Sequence, residues 1–194
     1  MLSGASIAKR AIIRHLQSEA YQVQPCGVDL TVRRVLRWTS AATIDLDNSS
    51  RKVADTTLIK FYRKIEKKSL GQGAYLVEFN ETCSIPLDCM GQIFVRSSLW
   101  RSGVTLTAGV IDPGYEGKLG ALLDVRNPIG IVLYKNAKIG QLVVHQLEEK
   151  VEGYSGIYQQ SLDSAGCDEP STESQPAHDE KPKAYRTYAW DEPS

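Results

Sequence analysis

Apolar residues over the first sixteen positions recur at helical spacing. Ile7, Ala11, Ile12 and Leu16 share a face, Lys9, Arg10 and Arg14 lie off it, and Ser3 stands where an N-cap belongs. The pattern predicts a short leading helix packed on a core; the apolar stripe and Glu19 argue against a transit peptide. From Val28 onward the period shortens to two. Runs rich in Val, Ile, Leu, Thr and Tyr predict strands over 28–38, 57–63, 74–80, 92–96, 104–107, 118–127, 131–134 and 140–147. Asp47-Asn48-Ser49, Gly71-Gln72-Gly73, Asp112-Pro113-Gly114 and Asn127-Pro128-Ile129-Gly130 punctuate them as turns. Short strands without intervening long helices indicate an all-β antiparallel sandwich or barrel and argue against a Rossmann-type sheet.

After residue 160 this pattern stops. Residues 161–194 contain four of the eight prolines and eight acids against three bases. Such a segment buries too little apolar surface to offset its ordering entropy. The chain therefore reads as one domain over 1–160 and an acidic, Pro- and Ser-rich disordered tail over 161–194. Tyr185, Tyr188 and Trp190 interrupt that tail, either as a docking patch for an unidentified partner or as solvated aromatics.

Composition narrows the function. The 23 basic and 23 acidic residues cancel, leaving no electrostatic footprint of a nucleic-acid binder. No stretch approaches the roughly 18 apolar residues that span a bilayer. Four cysteines without C-x-x-C spacing and three scattered histidines exclude a zinc-deaminase signature and argue against a disulfide framework. The expectation is a soluble intracellular protein, cytoplasmic or nuclear, with neither membrane nor nucleic acid as partner.

There is no P-loop, and Gly71-Gln72-Gly73 lacks the third glycine of a dinucleotide fingerprint, so it reads as a hairpin turn. Arg96-Ser97-Ser98-Leu99-Trp100-Arg101-Ser102-Gly103 follows a strand and places two hydroxyls and two guanidiniums around a helical turn. Those donors can hold a polyphosphate, or can simply be a helix start with surface arginines. Asp112-Pro113-Gly114-Tyr115-Glu116-Gly117 sets an acid on the approach to a Pro-Gly turn. Asp112 can act as a general base and the Tyr115 ring can lie against a sugar or base, or the segment can be an ordinary turn.

Five segments occur in order: Gln24-Pro25-Cys26-Gly27-Val28-Asp29-Leu30; Arg96-Ser97-Ser98-Leu99; Ala108-Gly109-Val110-Ile111-Asp112-Pro113-Gly114-Tyr115-Glu116-Gly117; Ile139-Gly140-Gln141-Leu142; and Tyr154-Ser155-Gly156-Ile157-Tyr158-Gln159. In this register the chain resembles the dUTPase and dCTP deaminase superfamily over residues 1 to about 160. It is most similar to the deaminase-like branch that includes archaeal-type dUTPases. The resemblance implies a jelly-roll-like β-barrel with a short N-terminal helix, assembled as a homotrimer with active sites between subunits. It further implies a deoxynucleoside triphosphate substrate and Mg2+ held mainly by the substrate's phosphates.

Carried over by position, Arg96, Ser97, Ser98, Arg101 and Gln141 would contact phosphates. Ala108 and Gly109, within a 105–111 hairpin, would read the base through backbone groups. Asp112 would be the catalytic carboxylate at the nucleoside, acting as the base, and Tyr115 would pack on deoxyribose. Tyr154 and Gln159 would close over the triphosphate. Asp29 would sit near the metal and phosphates, or pin an arginine. Deaminases of this family resemble D-x-G-[FW]-x-G-x-I-x-L-E, whose closing glutamate falls here on Leu122, and an alkyl group carries no protons. Asp124 shares the face of Leu122 by period-2 geometry and either substitutes for that acid or pairs with Arg126 of another subunit. Ile157 stands where deaminase-type tails carry lysine. The expected activity is hydrolysis of dUTP to dUMP and pyrophosphate. A dCTP deaminase, alone or combined with dUTPase activity, is the alternative, and a non-catalytic nucleotide-binding interaction protein is a further one.

Overall fold

The computed structural model describes residues 1–61, 66–156 and 158–159, so the 161–194 tail and Ile157 lie outside the described residues. The element order is α1 (Gly4–Lys9), β1 (Ile13–Arg14), α2 (Glu19–Gln22), β2 (Val23–Gln24), β3 (Gly27–Trp38), β4 (Thr56–Leu58), β5 (Lys67–Leu70), β6 (Gly73–Ser84), β7 (Cys89–Val95), α3 (Ser97–Trp100), β8 (Val104–Thr107), β9 (Val110–Ile111), β10 (Glu116–Val125), β11 (Ile131–Tyr134) and β12 (Lys138–Gln146). Strands dominate and every pairing is antiparallel, as the alternating pattern predicts.

The main sheet runs β8-β10-β6-β3-β12-β7-β9. Its two end strands, β8 and β9, are consecutive in sequence and joined by Ala108 and Gly109 alone. Strands at opposite ends of a seven-strand path can be joined by two residues only if the sheet curls until its ends meet. That curl is the jelly-roll-like barrel expected from the sequence, and its seam is the 107–111 segment. Inside lie Val28, Leu30, Val32, Val77, Phe79, Leu123, Ile139, Leu142 and Val144, all fully buried. Burying a side chain of this size contributes about 1.5–3 kcal/mol.

Several expectations change in detail. α1 is capped by the Ser3 hydroxyl, which accepts from Ser6 N–H at 3.2 Å, but it ends at Lys9. Ala11 adopts φ 51°, and the chain turns so that Ile12 and Ile13 enter the core while β1 pairs with Cys83 and Thr82. Two adjacent β-branched residues gain more from sheet pairing than from continuing a short helix. The 57–63 run pairs only over Thr56–Leu58, against the end of β3, and its last two residues lie outside the described ones. Gly71-Gln72-Gly73 is a corner and not a hairpin turn, because β5 pairs with β11 in a separate two-stranded sheet. The 105–111 segment is likewise no hairpin: β8 pairs with β10 and β9 with β7.

The interior also holds acids on β6. Glu81 is fully buried and accepts from Gln22 Nε2 at 2.7 Å, Thr31 Oγ1 at 2.6 Å and Thr31 N–H at 2.9 Å. These bonds tie α2 and β3 to β6 and satisfy a carboxylate that would otherwise be costly to bury.

Candidate active site

The seam carries a cavity of ≈ 480 Å³, within the range of small-molecule sites. It is lined by the connecting segment from Thr107 to Asp112, which we call its wall, by Lys118 to Leu122 of β10, which we call its floor, and by Tyr115, Tyr154 and Tyr158, which we call its rim. Of the residues singled out in the sequence, Ala108, Gly109, Asp112, Tyr115 and Tyr154 come together here. Among the described residues that line it, Asp112 is the one carboxylate.

Asp112 owes its position to the turn it opens. Tyr115 N–H donates to the Asp112 carbonyl at 3.2 Å, Pro113 occupies the second position, and Gly114 takes the third at φ 77°. A positive φ at that position defines a type II turn and favours glycine. A Cβ there would also lie 2.8 Å from Gly153 Cα, so the turn and the C-terminal segment fit only with glycine. The ordinary-turn reading of this motif therefore holds alongside the functional one: the turn holds the acid at the cavity wall.

Tyr115 donates its hydroxyl to the Lys118 carbonyl at 2.6 Å and meets Tyr154 edge-on, with centroids 5.7 Å apart. Burial, with smaller contributions from Cys83 and Tyr154, pushes its phenol up to about 12. It stays neutral at physiological pH, its proton is committed to backbone, and what it offers the cavity is a ring face. Tyr154 N–H donates to the Pro113 carbonyl at 2.8 Å. Gln159 grips the same turn, accepting from Glu116 N–H at 3.0 Å and donating to the Gly114 carbonyl at 2.9 Å.

The phosphate-type residues gather elsewhere. Asp29, 2% exposed on β3, lies 3.2 Å from Arg96 Nε and 3.1 Å from Lys138 Nζ. Arg96 also donates to the Lys138 carbonyl at 3.3 Å, and Gln141 pairs in register with Asp29. Asp29 thus pins an arginine, and a lysine that the sequence reading did not single out. Ser97, Ser98 and Arg101 are exposed on α3 and its end, the Arg101 guanidinium standing 4.4 Å over the Trp100 ring. Arg96, Ser97, Ser98, Arg101, Gln141, Asp29, Asp124 and Gln159 do not line the seam cavity.

On β10, Leu122 faces the cavity, whereas Asp124 bonds to Arg126 Nε of the same chain at 2.8 Å. The ion pair expected between subunits is therefore made within one chain. The sequence reading also passed over Tyr158 and Lys118 as cavity residues. Tyr158 follows the resemblance-bearing Tyr154 by a helical-turn spacing, a signal that could have included it.

The curled sheet and its seam define a fold class first. A solved 2'-deoxycytidine 5'-triphosphate deaminase from Agrobacterium tumefaciens superposes with a TM-score of 0.58 at 18% identity, covering 75% of this chain and 47% of that one. A dCTP deaminase-like family model matches residues 1–147. The chain is 37% identical over 158 residues to the deoxyuridine 5'-triphosphate nucleotidohydrolase of Methanocaldococcus jannaschii, covering 81% of this chain and 98% of that protein. It is 43% identical over 139 residues to a "Probable deoxyuridine 5'-triphosphate nucleotidohydrolase" of Methanosarcina mazei, covering 71% and 81%. The chain belongs to the dCTP deaminase-like family.

Proposed function

We propose that this protein hydrolyses dUTP to dUMP and pyrophosphate. The observation that carries this reading is that Asp112 is the one carboxylate among the described residues lining the cavity, while Leu122, which also lines it, offers only an alkyl side chain. Hydrolysis at the α-phosphorus requires one base to take a proton from water. Attack at cytosine C4 with loss of ammonia requires a shuttle able to return a proton to the leaving nitrogen, and neither Leu122 nor the Arg126-paired Asp124 offers one. The archaeal relatives' names point the same way.

In this mechanism the nucleoside enters the seam, displacing water from around Asp112, and the backbone of Ala108 and Gly109 reads the uracil edge. The Tyr115 ring crowds the 2′ position and disfavours ribose. Asp112 accepts a proton from a water held in line with the α-phosphorus. Arg96, Ser97, Ser98, Arg101 and Gln141 bind the triphosphate and stabilise charge on the departing pyrophosphate. Because these residues stand apart from the cavity of their own chain, the reading includes a homotrimer in which one subunit's phosphate-binding residues serve a neighbour's cavity.

The donor set fits Mg2+ carried on the nucleotide. Asp29, the acid beside the phosphate-binding residues, is already paired with two cations, so the ion would reach the protein through phosphate oxygens held by Arg96, Ser97, Ser98 and Gln141. When bound it neutralises charge on those oxygens. Residues 161–194 lie outside the catalytic domain in this reading.

The test is incubation of the purified protein with dUTP or dCTP and Mg2+, with pyrophosphate and ammonia assayed separately. Pyrophosphate from dUTP without ammonia from dCTP is expected. Ammonia from dCTP would replace this reading with deamination, and neither product would leave a nucleotide-binding protein without chemistry.

A further inference from the structure

The connection from β3 to β4, residues 39–55, is long for a strand-to-strand link and mostly exposed. It is not shapeless. Thr43 and Lys52 form a bridge across it, and Asp47 accepts from Ser49 N–H at 3.0 Å. Next to that bridge Arg51 turns inward and is half-buried. Its guanidinium lies 4.9 Å over the Tyr158 ring and donates to the Tyr158 hydroxyl. Tyr158 lines the seam cavity, and its N–H donates to the Tyr154 hydroxyl at 3.4 Å; Tyr154 in turn meets Tyr115. A continuous chain of contacts thus runs from Arg51 through three tyrosines to the wall where the nucleoside is read.

We propose that Arg51 is a positioning residue for the seam site: by stacking on Tyr158 and bonding its hydroxyl, it holds the C-terminal tyrosines over the cavity and so sets nucleotide affinity. This inference rests on the dUTP reading for its substrate. Arg suits the task because its planar, permanently charged fork can cover a ring and donate in one geometry, which a lysine ammonium cannot. The contact is made before substrate arrives, so it spares the nucleotide the cost of ordering that rim. Its loss falls on substrate retention and not on the chemical step at Asp112.

The test compares Arg51→Ala, Arg51→Lys, Tyr158→Phe, Tyr158→Ala and the Arg51→Ala/Tyr158→Ala double variant. Arg51→Ala is expected to raise KM for dUTP by roughly tenfold with kcat within about threefold, the loss of one cation–π contact and one charge-assisted hydrogen bond at partial exposure. Arg51→Lys and Tyr158→Phe, each keeping part of the contact, fall between. The double variant matches Tyr158→Ala, since Arg51 then has nothing to hold; additive losses would overturn the proposal. A second readout needs no activity: the rate of Lys-C cleavage at exposed Lys150, identified by mass spectrometry. Arg51→Ala should be cut there several-fold faster, because cleavage follows the open population of the C-terminal segment. Unchanged cleavage, or faster cleavage with KM unchanged, would overturn the positioning role. If the protein does not hydrolyse dUTP at all, the cleavage rates still decide the Arg51 contact, separately from that failure.

Discussion

In the proposed hydrolysis, replacing Asp112 with Asn removes the base and little else. The side chain is exposed at the cavity wall, and the turn that holds it depends on its backbone carbonyl, on Pro113 and on Gly114 at φ 77°, none of which the substitution touches. Asparagine is nearly isosteric, so folding stability should change by no more than about 0.5 kcal/mol. A positioned general base contributes typically 10²- to 10⁴-fold, or about 3–5 kcal/mol of barrier. No other carboxylate among the described cavity residues can take over, which argues for the upper half of that range. Pyrophosphate release from dUTP under saturating conditions, with dUMP binding measured by calorimetry, separates chemistry from affinity. The expected result is kcat down at least 10³-fold with product binding within about threefold. Turnover within tenfold of the unsubstituted protein would refute the base role. An equal loss of binding would mean that Asp112 positions the nucleoside instead.

Asp29→Asn leaves Arg96 and Lys138 facing each other without their shared anion. Both cations are about 30% exposed, so solvent screens part of the loss; a cost of roughly 2 kcal/mol and a fall in Tm of some 4–8 °C are expected by calorimetry. Gly114→Ala forces a Cβ against Gly153 and strains the turn, and should raise KM for dUTP while the far-UV spectrum stays unchanged. Burial raises the Cys83 thiol from 9.0 to about 12 and the Tyr115 phenol from 10.0 to about 12. The unfolded chain therefore releases these protons first, so their stability contribution is intact below pH 9 and is lost as pH rises toward 12. Urea midpoints should fall over that window, and less steeply between pH 9 and 10 in a Cys83→Ala variant. Asp124→Asn breaks a pair whose arginine is 74% exposed, so pyrophosphate release should stay within threefold; a collapse would assign Asp124 to the chemistry.

The sequence was most legible where one face of a strand meets solvent. β10 alternates buried and open positions through most of Glu116–Val125, and its period-2 pattern placed it to within two residues. β3 is buried on both faces over its first six residues and was still recognised because it is rich in Val and Leu. β5 was missed: Lys67, Lys68 and Ser69 carry no apolar signal, and the strand exists because it pairs with β11 more than sixty residues away. The same limit applied to the site. Asp112, Tyr115 and the seam glycine sit in one contiguous motif, whereas Lys138 and Arg51 acquire their roles only through contacts with Asp29 and Tyr158, remote in sequence. Glu81 lies just past the predicted 74–80 strand and is accommodated in the interior only because Gln22 and Thr31, remote in sequence, bond to it.

The choice between the two chemistries of this family comes down to one pleat of β10. Lys118, Gly120, Leu122 and Asp124 share a face, and the cavity floor ends at Leu122. Asp124 lies two residues further, roughly 7 Å along the strand. A bulge could in principle draw it back, and β10 has one, but it falls between Lys118 and Gly120, upstream of both. From Leu122 to Val125 the register is regular on both sides, with Asp124 opposite Ala74 on β6 and Thr105 on β8. Moving that carboxylate onto the floor would require breaking two ladders at once and abandoning Arg126, whereas a leucine already fills the position at no cost. In the proposed reading the strand thus keeps acid away from the heterocycle, and the one carboxylate among the described residues lining the cavity, Asp112, stands on a turn whose shape depends on Gly114.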